Sequence, residues 1–281
     1  MPEGDTVWLA GRRMNDALAG KILIRSDFRV PALATVNLAG RTVIEVKSRG
    51  KHLLTRIEGG VTLHTHFRMD GTWHLYPVGT EWFGGPDFQV RVVLANADRV
   101  AVGYRLPVVE LVPTSEEHTV VGHLGPDLLD EDTDEAEAVR RLRTQPDREI
   151  GPALLDQRNL AGIGNLYKAE TLFLHRHSPW VPVADISDLA AVVSTARKLL
   201  RQNRQHSAQT TTGILRRGEQ HWVFERGRRP CRRCGAPIAV AMQGVAPQER
   251  ISYWCPTCQT GAAPAVASNP RRRRGPYNPM K

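Results

Sequence analysis

The chain has 281 residues, a formal net charge of +9 and four cysteines, with 41% apolar and 24% charged residues. That is ordinary globular composition, long enough for one large core or two domains, and it excludes a fibrous repeat or wholesale disorder. No apolar run reaches the roughly 18 residues that a membrane-spanning helix needs.

The opening MPEGDTVW carries two acids where a secretory leader would carry bases and an apolar stretch, which points to a cytoplasmic location. A first amphipathic helix is expected over 6–18, with Val7, Ala10, Met14 and Leu18 near helical spacing. Strands follow at 21–24, 41–46, 52–57, 61–66, 89–95 and 100–104, separated by turns such as Gly59-Gly60 and Gly84-Gly85-Pro86. An acidic stretch at 125–137 reads as a linker running into a helix that starts near Glu135, where acids suit the helix dipole. Helical spacing then dominates at 150–160, 166–175 and 186–205, and short strands surround the cysteines in 221–258. The Ala- and Pro-rich end, closing on RRRRGPYNPMK, has nothing to build a core with and reads as disordered. No internal repeat is present.

Charge divides along the chain. The first 139 residues hold 14 bases against 20 acids, and the remainder 24 against 9. A basic C-terminal half suits a polyanion, nucleic acid before a membrane surface; the lesser alternative is a soluble protein that happens to be basic.

Cys231-x2-Cys234 and Cys255-x2-Cys258, twenty residues apart, have the spacing of a four-thiolate zinc site. Two disulfides or a redox pair would use the same residues, but a cytosolic setting disfavours disulfides. Such a closed site organises structure and leaves no position for chemistry. Arginines 226, 228, 229, 232, 233 and 250 surround it and suit a phosphate grip, with a solvated basic face the equal alternative for all but Arg250. Upstream, Leu160-Ala161-Gly162-Ile163-Gly164-Asn165 breaks two helical patterns. Asn165 would open the second helix with an anion-binding N-terminus, although a plain helical turn explains the glycines as well. At the other end of the chain, removal of Met1 would leave Pro2 with a secondary α-amine. Its pKa of roughly 7.7–8.0, against about 10.4 for lysine, gives far more free base at neutral pH. Such an amine can form a Schiff base, with Glu3 shuttling protons.

Together these residues resemble the formamidopyrimidine-DNA glycosylase/endonuclease VIII family. The likeness covers about 1–258 and rests on Met1-Pro2-Glu3-Gly4, Arg49-Gly50-Lys51-His52-Leu53-Leu54, Leu160 to Asn165, and the cysteine pairs with Arg250 and Tyr253 to Gln259. The resemblance implies an α+β, two-lobed protein with an N-terminal catalytic β-sandwich flanked by helices (1–120) and an acidic linker (121–138). A helix-two-turn-helix domain (139–220), a zinc finger (221–259) and a disordered basic tail (260–281) would follow. It implies a bifunctional DNA glycosylase and abasic-site lyase of base-excision repair, a cytoplasmic monomer acting on damaged double-stranded DNA with one structural zinc. Flipping the base fits the chemistry, because the sugar carbon is unreachable inside a duplex.

By the same resemblance Pro2 is the nucleophile, Glu3 the proton-transfer acid and Lys51 the catalytic hairpin lysine. His66, Arg68, Met69, Asn165 and Arg250 contact DNA, Met69 as the wedge that fills the emptied stack, although strand-end packing would also suit it. His64, on the same strand face as His66, reads as structural. Two features depart from the family. Thr6 stands where many members carry a second acid, and Tyr104-Arg105-Leu106-Pro107 replaces the Arg-Arg-Phe-Gly segment of the purine-specific branch. With a short stretch between Thr212 and the finger, this points to the endonuclease VIII branch and oxidised pyrimidines. The alternatives are a formamidopyrimidine/8-oxoguanine enzyme of the same family and a catalytically inactive damaged-DNA-binding protein.

Overall fold

The structure is a computed structural model that describes residues 2–246 and 249–264. The chain divides into two compact units: one running to Glu131 and including Arg204–Ser207, the other comprising Asp132–Asn203 and the described residues from Ala208 onward. The division falls inside the stretch expected as a linker. Leu124, Asp127, Leu128 and Leu129 are buried in the first unit and do not form a solvated tether.

The first unit opens with α1 (Gly4–Leu18) and continues as two four-stranded antiparallel sheets. Their strands are β1 (Arg25–Phe28), β2 (Val43–Arg49), β3 (His52–Ile57), β4 (Val61–His66), β5 (Thr72–Pro77), β6 (Val90–Ala95), β7 (Arg99–Tyr104) and β8 (Val108–Pro113). One sheet has the order β1-β6-β7-β5 and the other β2-β3-β4-β8. Val7, Met14 and Leu18 of α1, spaced for one helical face, join Leu53, Ile57, Leu63, Val92 and Leu94 in a common core. The first strand lies further along the chain than expected: 21–24 forms the isolated Ile22–Thr42 bridge and backbone bonds to Arg41, Val43 and Ala95, with Ile22 and Ile24 exposed. β5 and β8 had no counterpart among the expected strands. Each ends in proline, which disfavours a central strand, and each is a sheet edge, where proline is tolerated.

After the single-turn α2 (His118–Val121), the second unit starts with α3 (Glu135–Arg143), capped where Asp134 accepts the Glu137 amide at 2.8 Å. Next come α4 (Ile150–Leu155), α5 (Asn165–Leu174), α6 (Leu189–Asn203) and the hairpin β9 (Ala239–Gln243) with β10 (Arg250–Trp254). α4 is shorter than its apolar spacing suggested. Asp156 accepts the Arg158 amide at 3.1 Å, and this side-chain turn competes with further helix. α6 begins later than expected because Asp188 caps it by accepting the Ala191 amide at 2.8 Å. α5 is buried along nearly its whole length and packs against α4, α6 and β10. The first residues of the tail expected from 260 are held in the fold. Thr260 and Ala262 are bonded to the 176–178 segment, while 265–281, with Arg271 to Arg274, lies outside the described residues.

Candidate functional site

In the first unit α1 packs along β2 and β3 in a fixed register. Asn15 accepts the Val46 amide of β2 at 2.9 Å. One turn earlier, Gly11 faces Ser48 and Leu53 so closely that a Cβ there would sit 2.9 Å from Leu53 Cδ1. Moving from residue 15 to 11 along the helix therefore tracks from 46 to 48 along β2. The helix rises about 1.5 Å per residue and the strand about 3.4 Å. The same line, continued, runs from Gly11 toward the end of β2 that leads into the Gly50-Lys51 turn. Glu3 is 1% exposed and Asp5 2% exposed, two buried acids in the first turn, where the helix dipole favours negative charge. Thr6 Oγ donates to Asp5 at 3.5 Å, so Thr6 touches an acid without replacing one.

Lys51 sits in a two-residue loop closed by the Arg49–His52 pair, with Gly50 at φ 58°, a left-handed conformation that favours glycine. The Gly50 amide donates to Asp127 Oδ2 at 2.6 Å, the Leu129 amide to its other oxygen at 3.0 Å, and Arg49 to the Gly125 carbonyl at 3.2 Å. Burial pushes the Asp127 carboxyl up, against these donors. Sequence reasoning placed Asp127 in a linker. Its one legible signal is an acid among apolar residues in Leu124-Gly125-Pro126-Asp127-Leu128-Leu129.

The turn after β4 presents Met69. Phe67 anchors it as a buried side chain, the Gly71 amide closes it onto Phe67, and Arg68 takes a φ of 46°. Met69 is 57% exposed, so it is not engaged in strand-end packing. His66 Nδ1 accepts the Arg68 amide at 2.9 Å, and burial together with the nearby Lys51 charge lowers His66 to about 4. Arg105, itself at φ 50°, donates to the Asp70 carbonyl at 3.1 Å and to the Gln89 side chain. It thus braces the same turn, a role the sequence did not disclose.

In the second unit the α4–α5 turn is held by Gln157, which accepts the Gly162 amide at 3.0 Å and donates to the Ile163 carbonyl at 3.0 Å. Gly164 is the N-cap and Asn165 the first helical residue. The Asn165 amide nitrogen donates to the Ile251 carbonyl at 2.8 Å, which places Asn165 one residue from Arg250 at the head of β10. Asn165 is 7% exposed, and its Oδ1 has no hydrogen-bond partner among the described residues. An anion here would therefore meet the backbone amides opening α5, since the side-chain amide is committed to the finger. Lys168 of α5 donates to Ser252 at 2.7 Å, and Ser252 to Gln243 at 2.8 Å, which ties both strands of the hairpin to the helix. Arg250 is exposed, and its guanidinium donates to the Glu249 carbonyl at 2.9 Å.

The four cysteine sulfurs lie within 4.8 Å of one another, with Cys231–Cys258 at 3.9 Å and Cys234–Cys255 at 3.4 Å. A disulfide requires about 2.05 Å, whereas metal–sulfur bonds of about 2.3 Å set tetrahedral sulfurs just under 4 Å apart. The Arg233 amide donates to Cys231 Sγ and the Cys258 amide to Cys255 Sγ, each at 3.4 Å, as suits thiolates. The group can hold a metal ion.

Comparison with known proteins places these features in context. The formamidopyrimidine-DNA glycosylase N-terminal domain matches residues 1–107, and the formamidopyrimidine-DNA glycosylase H2TH domain matches 124–213. A "probable endonuclease 8 2" of Streptomyces coelicolor is 58% identical over 94% of this chain and 96% of its own length. The "DNA-(apurinic or apyrimidinic site) lyase Nei2" of Mycolicibacterium smegmatis is 42% identical over 93% of this chain and all of its own. A Lactococcus lactis Fpg (MutM), solved in complex with N7-benzyl-Fapy-dG-containing DNA, shares the fold at TM-score 0.74 and 23% identity, covering 92% of this chain and 100% of its own.

Proposed function

The chain belongs to the formamidopyrimidine-DNA glycosylase/endonuclease VIII family, and from that premise we propose that it is a base-excision-repair glycosylase and abasic-site lyase in which Pro2, Glu3 and Lys51 perform the chemistry. The observation that supports this reading is the register of α1 on β2, fixed at Asn15–Val46 and Gly11–Ser48, which runs the helix start toward the end of the sheet that bears Lys51. The Pro2 nitrogen attacks the sugar C1′ as the glycosidic bond breaks and Glu3 delivers a proton to the departing base; the Pro2 N–H proton then passes through the Glu3 carboxylate to O4′ as the C1′–O4′ bond opens, leaving an iminium at C1′. The resulting iminium acidifies the neighbouring C2′–H bond, and elimination severs the strand. Lys51 holds the adjacent phosphate as a point charge. His66 and Arg68 line the backbone, and Met69 enters the stack from an exposed, braced turn.

Asn165, through the amides opening α5, and Arg250 hold phosphates in the second unit. The cysteine group holds one zinc, whose role is to fix the finger that carries Arg250. The substrate is damaged double-stranded DNA, and the lesion is an oxidised pyrimidine. Residues 211–220 form a short loop closed by the Thr211 and Thr212 amides on the Gln220 carbonyl, at 2.8 and 3.1 Å, which supports a site without a long covering loop.

Paired single-turnover assays on duplexes carrying thymine glycol or 8-oxoguanine test the assignment. Faster excision of thymine glycol is expected. Preference for 8-oxoguanine moves the chain to the purine branch, and binding without excision of either makes it a damage-binding protein.

A further inference from the structure

Histidines 52, 64, 66 and 123 gather beside the Lys51 turn. The His52 ring lies 5.0 Å from His64, 4.7 Å from His66 and 5.9 Å from His123. The strand register explains the cluster: His52 pairs with His66 across β3–β4, and His64 pairs with Glu110 across β4–β8. Two hydrogen bonds join these residues in a line. His64 Nδ1 lies 2.7 Å from Glu110 Oε1, and His64 Nε2 lies 2.8 Å from His52 Nδ1.

Proton positions follow from what each atom can do. The Glu110 carboxylate only accepts, so His64 carries its proton on Nδ1. Neutral His64 then has a lone pair on Nε2, which accepts from His52 Nδ1–H. That leaves His52 Nε2 as a bare acceptor at the start of β3, one residue after Lys51. His66 is set the opposite way: its Nδ1 accepts the Arg68 amide, so its proton resides on Nε2.

We infer that Glu110, His64 and His52 form a one-proton relay whose open end, His52 Nε2, takes up the proton released when the abasic sugar undergoes elimination. The C2′–H electron pair becomes the C2′–C3′ double bond as the C3′–O bond breaks and the phosphate leaves. The proton binds His52 Nε2, His52 Nδ1–H passes to His64 Nε2, and the positive charge comes to rest on His64 against the Glu110 carboxylate. A lone histidine would serve poorly here. Burial and the neighbouring His66, His64, His123 and Lys51 hold His52 down to about 3, so it cannot retain the charge it receives. Glu110, with its side chain 47% exposed, closes the line, while His64 is almost wholly buried. Arg68 lies against His66, while Arg49, paired with His52 across the turn, reaches the Gly125 carbonyl and Asp130, and Asp127 is taken by the Gly50 and Leu129 amides.

The inference rests on the lyase reading, and the test separates the two. In nitrogen-resolved NMR of the free full-length protein, His52 and His64 should each carry their proton on Nδ1, and His66 on Nε2. A His52 proton on Nε2 at neutral pH overturns the relay whatever the protein does to DNA. In Glu110→Gln the amide oxygen still accepts from His64, but the charge is gone. Elimination at a preformed abasic site should fall roughly tenfold or more, general-base effects being of order 10²–10⁴. Borohydride trapping of the Schiff base should fall much less, and the acid limb of the elimination profile should move to lower pH, because the relay holds its proton less firmly. Equal losses in both steps with an unmoved pH profile make the line structural and overturn the inference. Wild-type protein that forms no adduct sinks the Schiff-base reading, while the tautomers still judge the relay.

Discussion

Two tight turns carry the groups proposed to grip DNA, and they are held by different chemistry. The Gly50-Lys51 turn is clamped by a buried carboxylate, Asp127, while the α4–α5 turn is clamped by a neutral amide, Gln157. A carboxylate offers two strong acceptors but must be kept from water, and burial pushes Asp127 up. An amide both donates and accepts without titrating. The clamp on the Gly50-Lys51 turn should thus titrate, whereas the Gln157 clamp itself does not.

The largest expected effect tests the second unit as a whole. Structural zinc contributes about 10–16 kcal/mol in finger peptides. Chelation, or Cys258→Ser, should therefore unfold the finger and abolish oligonucleotide binding by anisotropy, while the calorimetric transition of the first unit persists. Loss of both transitions together would mean that the units are not independently stable.

Next come the clamps. Asp127→Ala orphans the Gly50 and Leu129 amides, at about 1–3 kcal/mol for each buried donor. It should lower both stability in urea and the rate at the Lys51 site. Gln157→Ala should cost about 1–3 kcal/mol through the Gly162 amide and weaken phosphate binding, with chemistry on bound substrate unchanged.

A smaller effect sharpens the contrast through pH. Asp127 has a raised folded value, so the folded state holds its proton more tightly than the unfolded chain. Its contribution should fall as pH climbs from about 3.9 through that raised value, and Asp127→Asn should flatten this slope. Asp156, beside the second turn, is held well below the carboxylate range by Arg158 and Arg148. Its contribution is present above about 3.9 and should be lost as pH falls below it, the opposite sign. Urea titrations from pH 3 to 8 read both. The smallest stability effect belongs to Met69→Ala, within about 0.5 kcal/mol for an exposed side chain, with a clear loss of lesion affinity as the check on its wedge role.

Much of this was legible in the sequence wherever a residue's job is local. The cysteine spacing gives the sulfur cluster, alternation places β3 and β4 residue for residue, and Gly164-Asn165 marks the head of α5. What escaped depends on long-range pairing. Pro77 and Pro113 mask two edge strands whose tolerance for proline follows only from the sheet order. Asp127 lies among acids that do solvate, and only its 77-residue reach to Gly50 distinguishes it. His64 reads as a core histidine until β8 sets Glu110 opposite it.

The central claim is that the amine of Pro2 makes the bond to DNA. Protein lacking Met1 should be trapped with borohydride on an abasic-site duplex, digested, and the adduct located by mass spectrometry. The account predicts a DNA remnant on the N-terminal peptide at Pro2 and none in Pro2→Ala. An adduct on Lys51, or an undiminished adduct in Pro2→Ala, would contradict it.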